Sequence, residues 1–108
     1  MRKMRTHDEF IIEQLKADPK FRKVYLNEAL SDPDEDPRII LKMLRHVAEA
    51  EGGMGKLAKN TQLNRQSLYK TLSGTGNPEY ATISRILKGL GYCFQVIEDK
   101  KRVARQHA

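Results

Sequence analysis

Apolar residues recur along the chain at helical spacing, and proline- and glycine-marked breaks divide them into blocks. Phe10, Ile11 and Leu15 fall on one side of a helix expected over residues 8–17. Phe21, Val24, Tyr25 and Ala29 share a face over residues 19–30, and Ile40, Leu44, Val47 and Ala48 share one over residues 37–51. Leu57 and Ala58 mark a short helix over residues 54–60. Leu68 and Leu72, at i and i+4, mark another over residues 65–73, and Leu63 plugs the turn at residues 61–64. Ile83, Ile86, Leu87 and Leu90, at i, i+3, i+4 and i+7, define a last helix over residues 78–89. The boundaries repeat one device. Asp18-Pro19, Asp36-Pro37 and Asn77-Pro78 each set a capping side chain before a proline that misses no hydrogen bond in the first helical turn. Gly52-Gly53, Gly74-Thr75-Gly76 and Gly91 provide the stops.

Residues 92–98, YCFQVIE, change character. They are aromatic and β-branched, which favours a strand. A lone strand leaves its N–H and C=O groups without partners, and no second convincing strand occurs elsewhere in the sequence. Two arrangements satisfy it. The strand pairs with the same strand of a second copy, making Tyr92, Phe94 and Val96 dimerisation residues, or the segment packs in extended form on the helices. The expected fold is therefore all-α, about five to six helices with one short C-terminal strand. Its parts are an N-terminal helical extension over residues 1–36, a central unit over residues 37–91, and a strand with a basic tail over residues 92–108. Residues 1–7 are basic and expected to be loose.

Within the central unit, MGKLAKNTQLNRQSLYKTLS, residues 54–73, reads as two short helices joined by a tight turn. With Leu68 and Leu72 facing inward, Arg65, Gln66, Tyr69, Lys70 and Ser73 take the outer face. A short helix with an apolar back and an Arg/Gln/Lys front suits the major groove of DNA. Spacing alone equally allows a helical hairpin with a wet, charged face. In the DNA reading, Asn64 caps the second helix and frees its N-terminal end. Arg65 pairs with guanine O6/N7 and Gln66 with adenine N6/N7, while Lys70 reaches a base or a phosphate. Ser67 donates to a phosphate or caps locally. Tyr69 touches the sugar-phosphate backbone or half-covers the core. Lys56, Thr75 and Asn77 flank the groove as phosphate contacts.

Charge supports an acidic partner. The 108 residues carry a net charge of +6, with 20 Lys and Arg against 14 Asp and Glu. It is unevenly spread, at −2 over residues 1–36, +5 over residues 37–76 and +3 over residues 77–108. The single cysteine, Cys93, permits no internal disulfide and suits a reducing cytoplasm. The apolar runs fall short of the roughly 20 residues of a membrane span, and residues 1–10 lack the apolar core of a secretory signal. Catalysis finds little support. His7, His46 and His107 have no neighbours at metal or triad spacing, and His46 is expected to be partly exposed. The run Gly52-Gly53-x-Gly55 lacks the Lys-Ser/Thr of a phosphate loop, and Asp34-Glu35-Asp36 reads as a solvated acidic loop. No metal or cofactor is expected.

The run Ala58-x-x-x-Gln62-Leu63-Asn64-Arg65-Gln66-Ser67-Leu68-Tyr69-Lys70-x-Leu72-Ser73-Gly74 resembles the helix-turn-helix of the Cro/phage-repressor, or XRE-type, family. The stretch NRQSLYKTLSGTGNPEYATISRILKGLG, residues 64–91, is similar to the antidote proteins of bacterial addiction modules, the HigA-like antitoxins. The resemblance covers about residues 18–98. Two positions depart from it: the turn usually holds Gly where this chain has Gln62, and many members open the first motif helix with Gln where this chain has Met54. The resemblance implies a lambda-repressor-like bundle that binds a palindromic operator as a homodimer, represses its own operon, and neutralises a small, basic, RNase-like or gyrase-directed toxin. A stand-alone XRE-type regulator without a toxin stays open beside it, as does a scaffold whose motif has lost its use.

Overall fold

In the computed structural model, which describes residues 6–73 and 77–100, six α-helices follow one another: α1 (His7–Ala17), α2 (Pro19–Ser31), α3 (Pro37–Ala50), α4 (Met54–Thr61), α5 (Arg65–Leu72) and α6 (Tyr80–Gly89). Local chemistry explains most boundaries. Asp18 accepts a hydrogen bond from Lys20 N at 3.0 Å and Asp36 accepts one from Arg38 N at 2.9 Å, each just before the helix-opening proline. Asp36 also grips the Arg38 guanidinium at 2.8 Å, an exposed pair that holds the carboxyl below its ordinary range. The chain turns out of α3 through Gly52 and Gly53, both at positive φ, and the Gly53 N–H closes back on Ala48 O at 2.9 Å.

Two boundaries differ from the sequence reading. Helix α1 opens one residue early, at His7, because Thr6 Oγ1 accepts from Glu9 N at 3.1 Å. At the other end of the chain, Asn77-Pro78 does not open α6. The helix starts at Tyr80 behind an extended Glu79, with no side-chain cap. Asn77 is exposed and forms no cap. Here the entry is delayed by two residues, past Pro78.

Helix α3 is the hub. It packs against α1, α2, α4 and α5, while α6 is carried by α4. The core runs through Leu15, Leu26, Leu41, Leu44, Val47, Ala48, Met54, Leu57, Leu68, Leu72, Ile86 and Leu87. Leu26 and Leu41 are thus core residues, Ile40 is only half-buried, and Phe10 and Val24 point to solvent. The crossing of α4 on α6 needs Gly89, since a Cβ there would meet Thr61 Cγ2 at 2.4 Å and Leu57 Cδ1 at 3.0 Å. Asn60 secures the same crossing by donating to Gly89 O at 3.2 Å.

Among the described residues there is no strand. Residues 92–99 run without regular secondary structure, because no extended segment among the described residues of the chain lies beside them to complete a ladder. None of the described helices is long and apolar enough to cross a membrane. The basic tail beyond Lys100 and the Gly74-Thr75-Gly76 stop lie outside the described residues.

His46 is buried, contrary to the sequence reading, and it ties three helices together. Its Nδ1 meets Tyr25 Oη of α2 at 2.7 Å, and its Nε2 meets Asp8 Oδ1 of α1 at 3.1 Å. A neutral ring that donates from Nε2 to the Asp8 carboxylate and accepts the Tyr25 hydroxyl proton at Nδ1 satisfies both contacts. Lys42 adds an ion pair to Asp8 at 3.5 Å. Burial pushes the His46 pKa below its ordinary value, against the pull of Asp8. Burial also raises the Tyr25 pKa, helped by the Asp8 charge. Burial works to raise the Asp8 pKa, but the His46 hydrogen bond and the Lys42 charge outweigh it and leave the carboxyl low.

Because the folded state holds His46 less basic than the unfolded chain does, the unfolded chain takes up the proton first as pH falls. The contribution is complete above about pH 6.5 and is lost as pH drops through and below that value. Lowering of the Asp8 pKa acts in the same direction at more acidic pH. Urea unfolding should give a lower stability at pH 5.5 than at pH 7.5, and His46→Gln, which cannot take up the proton, should flatten that difference.

Candidate nucleic-acid interface

The pair α4 and α5 is built around a turn in which one residue carries a backbone strain. Gln62, the helix-ending residue of α4, has φ 61° and ψ 15°, the left-handed conformation. It is the one non-glycine at positive φ among the described residues. This costs an L-residue roughly 1–2 kcal/mol. Thr61 offsets it. Its buried hydroxyl donates to Leu57 O at 2.9 Å and accepts from Leu63 N at 3.2 Å, so one side chain bonds the backbone on both sides of Gln62. Leu63 then packs against the core, as its place in the turn suggested.

Asn64 opens α5, and its Oδ1 accepts from Ser67 N at 2.6 Å. The helix buries Leu68 and Leu72 toward the core and leaves Arg65, Gln66, Ser67, Tyr69, Lys70 and Ser73 exposed. The six sequence-expected residues from Asn64 to Lys70 are therefore all exposed, from the N-cap of α5 to its last turn. Lys56 is exposed in the first turn of the neighbouring α4, its stem lying over Gly52. Asn77 is exposed in the segment between α5 and α6, and Thr75 lies outside the described residues.

Arg65, though exposed, rests against both helices of the pair. Its Cζ stands 5.9 Å from the centroid of the Tyr69 ring, one helical turn on. On its other side it passes Gly55 of α4, where an added Cβ would touch Cζ at 3.8 Å. Tyr69 thus serves as an exposed platform under the guanidinium. Gly55, which the sequence reading weighed only as part of a phosphate loop, lies beside the Arg65 guanidinium, where a Cβ would make ordinary van der Waals contact. Among the described residues neither Arg65 nor Lys70 forms an ion pair. A planar donor fork, a side-chain amide and an ammonium on one helical face can recognise base edges and phosphates.

Met54 is buried in the core, so the first motif helix opens with a packing residue instead of a polar anchor. Among the described residues no group of three or more His, Cys, Asp and Glu is placed to hold a metal ion. Cys93 is exposed.

Comparison with known proteins places this arrangement. The profile of a family described as probable addiction module antidote protein matches residues 6–98. The chain belongs to this family. An uncharacterized protein of Haemophilus influenzae (strain KW20 / Rd) is 36% identical over 90 residues, covering 83% of this chain and 89% of the relative. No solved structure matches. The antidote match takes in α1 and α2 as well as residues 92–98, so both flanks of the helix pair belong to the family's common unit. Membership implies a toxin as partner in general terms, since an addiction module pairs an antidote with one.

Two substitutions test the turn. Asn64→Ala should lower the unfolding free energy by about 1 kcal/mol through loss of the cap. Gln62→Gly should raise it by about 1 kcal/mol by relieving the left-handed residue. Thermal unfolding followed by circular dichroism reads both.

Proposed function

We propose that the chain is the antitoxin of a type II toxin-antitoxin module and a sequence-specific DNA-binding repressor of its own operon. In this reading α4 and α5 form an XRE-type, HigA-like helix-turn-helix in a lambda-repressor-like bundle, residues 37–91, with the extension of residues 1–36 packed on it. The observation that carries it is the exposed front of α5, where Arg65, Gln66 and Lys70 stand free of acidic partners among the described residues above a buried Leu68–Leu72 back. Arg65 and Gln66 read base edges, Lys70 a base or a phosphate, and Ser67, Tyr69, Lys56, Thr75 and Asn77 the sugar-phosphate backbone. About three base contacts, each worth roughly 1–3 kcal/mol of discrimination, call for a homodimer on a palindromic operator. The protein works in the cytoplasm and needs no cofactor.

The toxin is a small basic protein that meets the acidic N-terminal extension, where residues 1–36 carry a net charge of −2. The match to the antidote family favours this over a stand-alone regulator. Co-expression with the adjacent reading frame separates the two: an antitoxin co-purifies with the product of that frame, and a stand-alone regulator does not.

Arg65→Ala and Gln66→Ala should each abolish selective binding to the upstream DNA in gel-shift assays while helical content stays unchanged. Unaltered affinity and selectivity in either variant would remove the proposed reading face. Binding should also weaken steeply with salt, as several phosphates are neutralised; a flat salt response would point to a different kind of partner.

A further inference from the structure

Residues 93–97 leave α6 with no hold on their backbone. The Tyr92 N–H still closes on Leu87 O at 2.8 Å, but beyond it no backbone group from Cys93 to Ile97 is paired among the described residues. The side chains are unevenly covered. Tyr92 packs against the core. Phe94 stacks on Tyr80 of α6, ring centroids 5.0 Å apart and planes inclined by 22°. One strand step further, Val96 is 97% exposed, beside Ile97 at 80%. An apolar ledge therefore runs from a half-covered aromatic pair to a fully uncovered valine, along a backbone with free donors and acceptors. Such a combination is what a strand added along this segment would cover.

We propose that residues 92–98 form a two-stranded antiparallel ladder with the same residues of a second copy, with Gln95 opposite its own counterpart on the two-fold axis. The idea rests on the homodimer proposed above and specifies its register. In a strand Tyr92, Phe94 and Val96 share one face. A two-fold axis normal to the ladder keeps that face common to both copies, so some residue must oppose itself. Three centres are available. With Phe94 at the centre, Glu98 opposes Leu90. With Val96 at the centre, Glu98 opposes Phe94. Gln95 at the centre sets Phe94 against Val96 and Cys93 against Ile97, apolar against apolar, and sets Glu98 against Tyr92, whose hydroxyl, unlike Leu90 or Phe94, can donate to a carboxylate. Each exposed Val96 then lies against the second copy's Tyr80–Phe94 stack. Exposed Glu98 comes near the second copy's exposed Lys88, at the end of α6, which adds charge complementarity at both ends of the ladder.

Disulfide trapping of the full chain, without DNA, tests the register. In a Cys93→Ser background, Gln95→Cys should oxidise readily to a covalent dimer, because directly opposed residues lie within disulfide reach. Phe94→Cys and Val96→Cys should each self-link poorly, and a mixture of the two should give mainly the mixed dimer. Val96→Asp, at a side chain that supports nothing within one chain, should shift the mass in light scattering from dimer to monomer with helical content unchanged. The proposal is overturned if the wild-type chain is a monomer, if self-linking is fastest at 94 or 96, or if position 95 becomes protected only when a different protein co-purifies. Since these readouts use no DNA, a failure here leaves the Arg65 face standing. Equally, a trapped dimer that ignores its upstream DNA would remove the reading face and keep the ladder.

Discussion

Helix α3 is shared by two pairs of helices, and the rest of the fold depends on that. It packs against α1 and α2 and also against α4 and α5. Leu41, Leu44, Val47 and Ala48 supply the apolar contact, and burying a side chain of this kind is worth roughly 1.5–3 kcal/mol. A helix of ordinary amphipathic width serves one partner layer. Serving two widens the buried arc until it takes in His46, a polar residue. The burial of that ring is tolerable because Tyr25 and Asp8, from the two helices it faces, occupy both of its nitrogens. The polar pair of contacts also fixes how the extension sits, since hydrogen bonds demand a geometry that leucine packing alone would leave looser.

A second polar joint lies just beyond the first, at the C-terminal end of the same helix. Arg22 of α2 donates to Leu15 O, at the end of α1, at 2.9 Å and approaches Glu51 at 3.7 Å. Burial raises the Glu51 pKa in spite of the Arg22 and Lys56 charges. Helices α1 and α2 are thus held to the C-terminal half of α3 by these polar groups, beside the leucines of the core.

The sequence was most legible where a local rule acted alone. The caps at Asp18, Asp36 and Asn64, the Leu68–Leu72 back of α5 and the placement of Leu63 all depend on neighbours a few residues away, and all appear as read. Legibility fell wherever a distant residue decided. Ile40 and Leu41 are adjacent apolar residues, and only the positions of α1 and α2 determine that Leu41 goes inward. His46 looked like a surface residue because its partners lie 21 and 38 residues away. The approach of Arg65 to Gly55 and the support from Thr61 depend on how α4 and α5 meet. Asn77-Pro78 failed for another reason: two earlier uses of the same dipeptide device set an expectation, but a proline fits several positions ahead of a helix as well as its first turn.

The resting place of Arg65 bears on rates. A long side chain frozen at an interface typically costs about 0.5–1.5 kcal/mol in lost rotamer freedom. This guanidinium lies over the Tyr69 ring and beside Gly55. In the proposed reading a DNA partner would meet a donor fork with less of that freedom left to lose. Preorganisation of this kind leaves encounter governed by diffusion and charge, and its benefit falls on the lifetime of the bound state.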